Sequence, residues 1–84
     1  MNQSAQPTSV KEWIQSWVAA RRRDDSVVLR PDTDLYKAGL LDSLGIIELI
    51  EALEDHHGIM FTEEEMRSGL TNVSDFERII AAHQ

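Results

Sequence analysis

No cysteine occurs among the 84 residues, which rules out a disulfide framework and any reaction carried by a thiol of the chain itself. No apolar run comes near the roughly 20 residues that a helix needs to cross a bilayer. The opening MNQSAQPTS has neither an apolar stretch nor a basic n-region, so it lacks the pattern of a signal peptide. Together these absences point to a reducing, cytoplasmic setting. Repeats and low-complexity tracts are missing as well. Basic residues are scarce in one half only. Residues 42–84 hold two Lys or Arg against ten Asp or Glu, a balance of −8, whereas residues 1–41 hold six against five. An acidic surface of this kind repels nucleic acid and anionic membranes and steers basic protein partners toward itself. Solubility alone accounts for acids as a class; their placement needs a further explanation.

The length suits one domain over residues 1–84, with a single modest core and no deep enzyme cleft. A hydrophobic content of 42% is that of a globular chain. Residues 1–8 read as a disordered lead-in. Ser9 followed by Glu12 is a capping-box pattern. Val10, Trp13, Ile14, Trp17 and Val18 then recur at helical spacing, with the tryptophans as core anchors and Arg21, Arg22 and Arg23 at the C-terminal end. A long connection over residues 24–42 carries Val27, Val28, Leu29, Leu35, Tyr36, Leu40 and Leu41, several of which must pin it down. Gly39 supplies a turn conformation there. The second helix runs from about Ser43 to His57, stops at Gly58, and has a core stripe of Ile46, Leu49, Ile50, Leu53 and His57. A short helix opens with Thr62 and Glu65 and ends at Gly69. The last helix begins near Asn72, a favourable cap, and turns Val73, Phe76, Ile79 and Ile80 inward. The expected fold is all-α: three longer helices and one short one in a small bundle, with a long loop between the first two.

GLLDSLGIIELIEALEDHHG carries the functional signal. Asp42-Ser43 stands where a helix entrance favours a capping oxygen, and capping alone would explain an arbitrary Asp-Ser pair. At about 100° per residue, however, Leu44 and Ile47 fall away from the core stripe, among Glu48, Glu51, Glu54 and Asp55. Two aliphatics set among acids beside an exposed hydroxyl have the character of a docking surface. Ser43 is not equipped as an unaided nucleophile, since that needs a base within hydrogen-bonding reach. His56 and His57 lie roughly 20 Å down the same helix, His83 is near the end of the chain, and no G-x-S-x-G elbow is present. A serine modified by another enzyme fits better.

GLLDSLGIIELI resembles the Asp-Ser-Leu motif of the acyl, peptidyl and aminoacyl carrier proteins, and the similarity extends over nearly the whole chain. The resemblance implies a non-catalytic carrier, acting as a monomer, with 4′-phosphopantetheine attached at Ser43 by a phosphopantetheinyl transferase that uses coenzyme A. It implies an acyl or aminoacyl thioester cargo exchanged with ligase or synthase partners. Asp42 would support the arm and engage the transferase, and Leu44, Ile47, Glu48, Glu51, Glu54 and Asp55 would dock partners. It also explains the missing cysteine, because the sulfur comes with the prosthetic group. Gly45 departs from the family pattern, where many fatty-acid carriers have an acid. The extra residue in GLLDS is similar to stand-alone D-alanyl and other aminoacyl carriers.

The rival reading is an unmodified acidic helical interaction module, in which Ser43 only caps. A metal at Asp55-His56-His57 is not expected, because adjacent histidines point apart on a helix. Asp32 and Asp34 lack the glycine and terminal Glu of a calcium loop, and turn chemistry explains them.

Overall fold

The computed structural model describes residues 9–83, so the expected lead-in over residues 1–8 lies outside the described residues. Four helices form within them: α1 (Val10–Arg22), α2 (Ser43–His57), α3 (Glu63–Arg67) and α4 (Val73–Ala82). Among the described residues, the only β-type pairing is an isolated bridge between Asp34 and Asn72.

Local chemistry sets each boundary. At the start of α1 the Glu12 N–H donates to Ser9 Oγ (3.1 Å) and the Ser9 N–H donates to Glu12 Oε1 (3.2 Å), so the capping box is closed both ways. Arg23 ends the helix in a left-handed conformation, φ 55°. Gly58 does the same for α2 at φ 66°, with its N–H donating to the Glu54 carbonyl. A second closed capping box, Thr62 with Glu65, starts α3.

The buried cluster is apolar throughout and draws on α1, the long loop, α2, the segments flanking α3, and α4, but not on α3 itself. Ile14 and Val18 of α1 are buried, as are Val73, Phe76 and Ile80 of α4, along which α1 packs. Leu49 and Leu53 of α2 and Leu35 of the loop complete a fully buried centre. Truncating one of these leucines to alanine costs about 2–5 kcal/mol at such sites.

The loop over residues 24–42 is pinned by Val27, Leu29, Leu35 and Leu41, which are buried, while Val28 and Tyr36 turn outward. Its backbone is tied as well. The Leu29 N–H donates to Gln15 Oε1 (2.8 Å), the Leu35 N–H to the Thr71 carbonyl (2.8 Å) and the Val73 N–H to the Thr33 carbonyl (3.0 Å). Asp34 acts as a turn residue. Its Oδ1 accepts from the Lys37 and Tyr36 amides and its Oδ2 from the Thr71 hydroxyl.

Three side chains depart from the sequence expectation. Trp13 and Trp17 rim the core rather than fill it, because each has a polar cover. His56 stacks on Trp13 with ring centroids 4.8 Å apart, and the Arg21 guanidinium lies over Trp17 at 5.5 Å. Asn72 occupies the N-cap position of α4 but makes no side-chain cap. Its amide, oriented to satisfy its neighbours, donates to the carbonyls of Asp32 and Thr33 (both 3.1 Å), serving loop acceptors in place of helix donors.

Candidate functional site

The site is built on the entrance to α2. Asp42 is the N-cap, and the Gly45 N–H donates to its Oδ1 at 2.7 Å. The carboxylate therefore takes one of the free amides of the helix start. Ser43 is the first helical residue; its side chain is exposed and takes no part in the cap. The loop before it is held from inside, because the N–H groups of Leu40 and Leu41 both donate to the Leu35 carbonyl (3.0 and 3.1 Å).

Gly45 is buried against this entrance. A Cβ there would lie 3.2 Å from Asp42 Oδ1 and 3.2 Å from both Cβ and Cδ2 of Leu41. The missing side chain lets Leu41 tuck under the helix while Asp42 caps it. A glycine at the third helical position is a sequence-level sign of such a close approach, since glycine is otherwise unfavourable there.

Beside Ser43 lies an open apolar groove of about 400 Å³, walled by Ile46 and Ile50 of α2, Met66 and Leu70 from the α3 region, and Tyr36 of the loop. Ser43 stands on its rim. Arg21, Arg22 and residues 39–42 line a second open recess, more polar, of about 470 Å³. The groove-lining Tyr36, Met66 and Leu70 come from outside α2, so no periodicity within the helix could have indicated them.

The outer face of α2 is mixed in polarity and uneven in charge. Leu44 is 59% exposed and Ile47 53%, an unusual pair for one turn of a small protein's surface. Glu51 and Asp55 are exposed beside them. Glu48 is half-buried and ion-paired with Arg21, so its charge is partly neutralised. Glu54 is half-buried too, and its Oε2 accepts from the Phe61 N–H (2.8 Å), which ties down the chain leaving α2. Leu44, Ile47, Glu51 and Asp55 thus share the exposed face, while Glu48 and Glu54 have internal partners.

Two of the three histidines are engaged away from Ser43. His56 stacks on Trp13, and His83 pairs with Glu65. His57 is half-buried with its Nε2 unpartnered, and burial together with the neighbouring His56 lowers its pKa. Among the described residues, no group of three or more side chains is placed to hold a metal ion.

The family described as "Phosphopantetheine attachment site" matches residues 12–80. A D-alanyl carrier protein of Bacillus licheniformis is 46% identical over 46 residues, covering 55% of this chain and 59% of that one. A second, from Bacillus velezensis, is 43% identical over 49 residues, covering 58% of this chain and 63% of that one. An acyl carrier protein of Helicobacter pylori is 33% identical over 69 residues, covering 82% of this chain and 87% of that one. The chain therefore spans about six-tenths of the length of the D-alanyl carriers and most of the acyl carrier.

Proposed function

The chain belongs to the phosphopantetheine attachment site family, and from that premise we propose that it carries an acyl or aminoacyl group on a 4′-phosphopantetheine arm bound to Ser43. The observation that carries this reading is the exposed Ser43 hydroxyl at a capped helix entrance, on the rim of an apolar groove. The residues fit the group: the hydroxyl is open to a modifying enzyme, and the groove offers an apolar surface beside it. When attached, the arm supplies the thiol that the chain lacks and holds the cargo as a thioester.

In the modification, Ser43 Oγ forms a bond to the phosphorus of coenzyme A that bears the pantetheine. The pyrophosphate P–O bond breaks, adenosine 3′,5′-bisphosphate leaves, and the hydroxyl proton passes to a base of the transferase. The chain contributes position alone. Asp42 fixes the helix start and keeps Ser43 at the surface. Leu44, Ile47, Glu51 and Asp55 give the partner a small apolar contact with acidic flanks, and Glu48 and Glu54 sit at its edge. A carrier must leave each enzyme after transfer, and a modest, charge-guided contact permits that. Tethering raises the cargo's local concentration at each partner. The D-alanyl carriers among the relatives favour an aminoacyl cargo.

Coexpression with a phosphopantetheinyl transferase followed by intact-mass measurement tests the proposal. A gain of one phosphopantetheine supports it. An unchanged mass under conditions that modify a known carrier favours an unmodified interaction module instead.

A further inference from the structure

We propose that Arg22 is a positioning residue for the modification of Ser43, holding the backbone of residues 39–41 so that the helix entrance keeps a single orientation. This rests on the reading of Ser43 given above.

The three arginines at the end of α1 have separate tasks. Arg21 turns toward α2, stacking over Trp17 and pairing with Glu48. Arg23 contributes its backbone, in the left-handed conformation that ends the helix. Arg22 reaches across 17 and 18 residues of sequence, and its Nη1 donates to the carbonyls of Gly39 and Leu40, each at 3.2 Å. Those carbonyls stand three and two residues before Asp42.

The same segment is held from the core side by the Leu35 carbonyl, which accepts from the amides of Leu40 and Leu41. Leu35 is fully buried and Leu41 nearly so. Residues 39–41 are thus clamped between an anchored carbonyl inside and a guanidinium outside. Gly39, at φ 74°, makes the sharp turn that brings both carbonyls within reach of Arg22. Asp42 follows at once, and the direction in which it caps Gly45 sets where Ser43 stands.

A planar guanidinium nitrogen with two hydrogens suits two adjacent carbonyls. A lysine ammonium supplies the charge with less directional bonding, and a methionine keeps the apolar stem without any donor. Phosphoryl transfer from coenzyme A depends on the alignment of the serine oxygen with the reacting phosphorus. Misplacement by about 1 Å can cost up to ~100-fold in rate. Because the inner clamp remains, loss of Arg22 should cost less, roughly 10-fold in kcat.

The test compares wild type, Arg22→Met and Arg22→Lys as substrates of a phosphopantetheinyl transferase with coenzyme A. Thermal melts and amide hydrogen exchange are measured on the same proteins without enzyme. The expected result is a roughly 10-fold fall in kcat for Arg22→Met with KM nearly unchanged, and partial recovery in Arg22→Lys. Faster exchange at Leu40 and Leu41 should accompany it, with both variants folded at the assay temperature. An unchanged kcat overturns the proposal, as does a fall no larger than the unfolded fraction accounts for. A loss confined to KM also overturns it, because it makes Arg22 a contact for the enzyme. A wild-type chain that gains no mass overturns the reading of Ser43 itself. That failure is distinguishable because it is seen before any variant is compared.

Discussion

Asp42 and Gly45 are joined across the first turn of α2 by a 2.7 Å hydrogen bond, and the exposed Ser43 lies between them. The acid before the serine is therefore first a helix cap, whatever it offers a modifying enzyme. Asp42→Ala should lower stability by about 1 kcal/mol, and Asp42→Asn, which keeps a capping oxygen, by less than half of that. Urea unfolding of the three proteins checks this, with equal losses for Ala and Asn as the contrary result.

Gly45→Ala should also destabilise, against the usual helix preference. At an open helical position the change gains up to about 1 kcal/mol. Here the new Cβ meets Asp42 Oδ1 and Leu41 at 3.2 Å. The expected result is a net loss of about 1–2 kcal/mol. Leu41→Ala removes the Cδ2 contact while the Cβ and Asp42 contacts stay, so a cycle with it should give a double variant somewhat more stable than the sum of the single losses. Additive losses in urea would contradict the packing described.

His57 gives the protein a defined pH response. Burial and His56 lower its pKa below the ordinary 6.5, so the unfolded chain binds the proton more readily than the folded one. The stability this confers is complete above pH 6.5 and is lost as the pH falls below that value toward the lower folded pKa. Asp24, Asp34 and Glu65, whose hydrogen bonds lower their pKa values, lose their contributions only below 4.5, outside this window. Between about pH 7.5 and about pH 5.5, wild type should lose more stability than His57→Gln. Parallel pH curves would count against it.

Glu51 offers the cleanest probe of the docking face, since it is exposed and has no ion pair among the described residues. Glu51→Lys should raise the transferase KM about fivefold at low salt, the effect of roughly 1 kcal/mol of lost attraction. Stability should change by less than about 0.5 kcal/mol. The difference should shrink at roughly 0.5 M salt. Glu48→Lys is a poorer probe, because it would place a second cation against Arg21.

The helix boundaries were legible because they rest on contacts within one turn. Ser9 with Glu12, Thr62 with Glu65, and the stop at Gly58 are chemistry between near neighbours. The core stripes were legible for the same reason: Leu49 and Leu53, or Phe76 and Ile80, share a face by spacing alone. Long-range partners left no such trace. Glu54 looks like a surface acid until the chain beyond Gly58 brings the Phe61 amide back to it. Arg21 and Glu48 meet across 27 residues, and Arg22 reaches Gly39 across 17. Asn72 has the composition of a cap, yet its amide serves loop carbonyls that only the folded chain brings near. Gly45 was visible as a departure from the carrier pattern, but its reason lies in the position of Leu41.

The central claim is that Ser43, and no other residue, receives the prosthetic arm. Peptide-level mass spectrometry after incubation with coenzyme A and a transferase tests it most directly. The account predicts one phosphopantetheine on the peptide containing Ser43, and none on the Ser43→Ala chain under the same conditions. Modification at another residue, or its persistence in Ser43→Ala, would contradict the account.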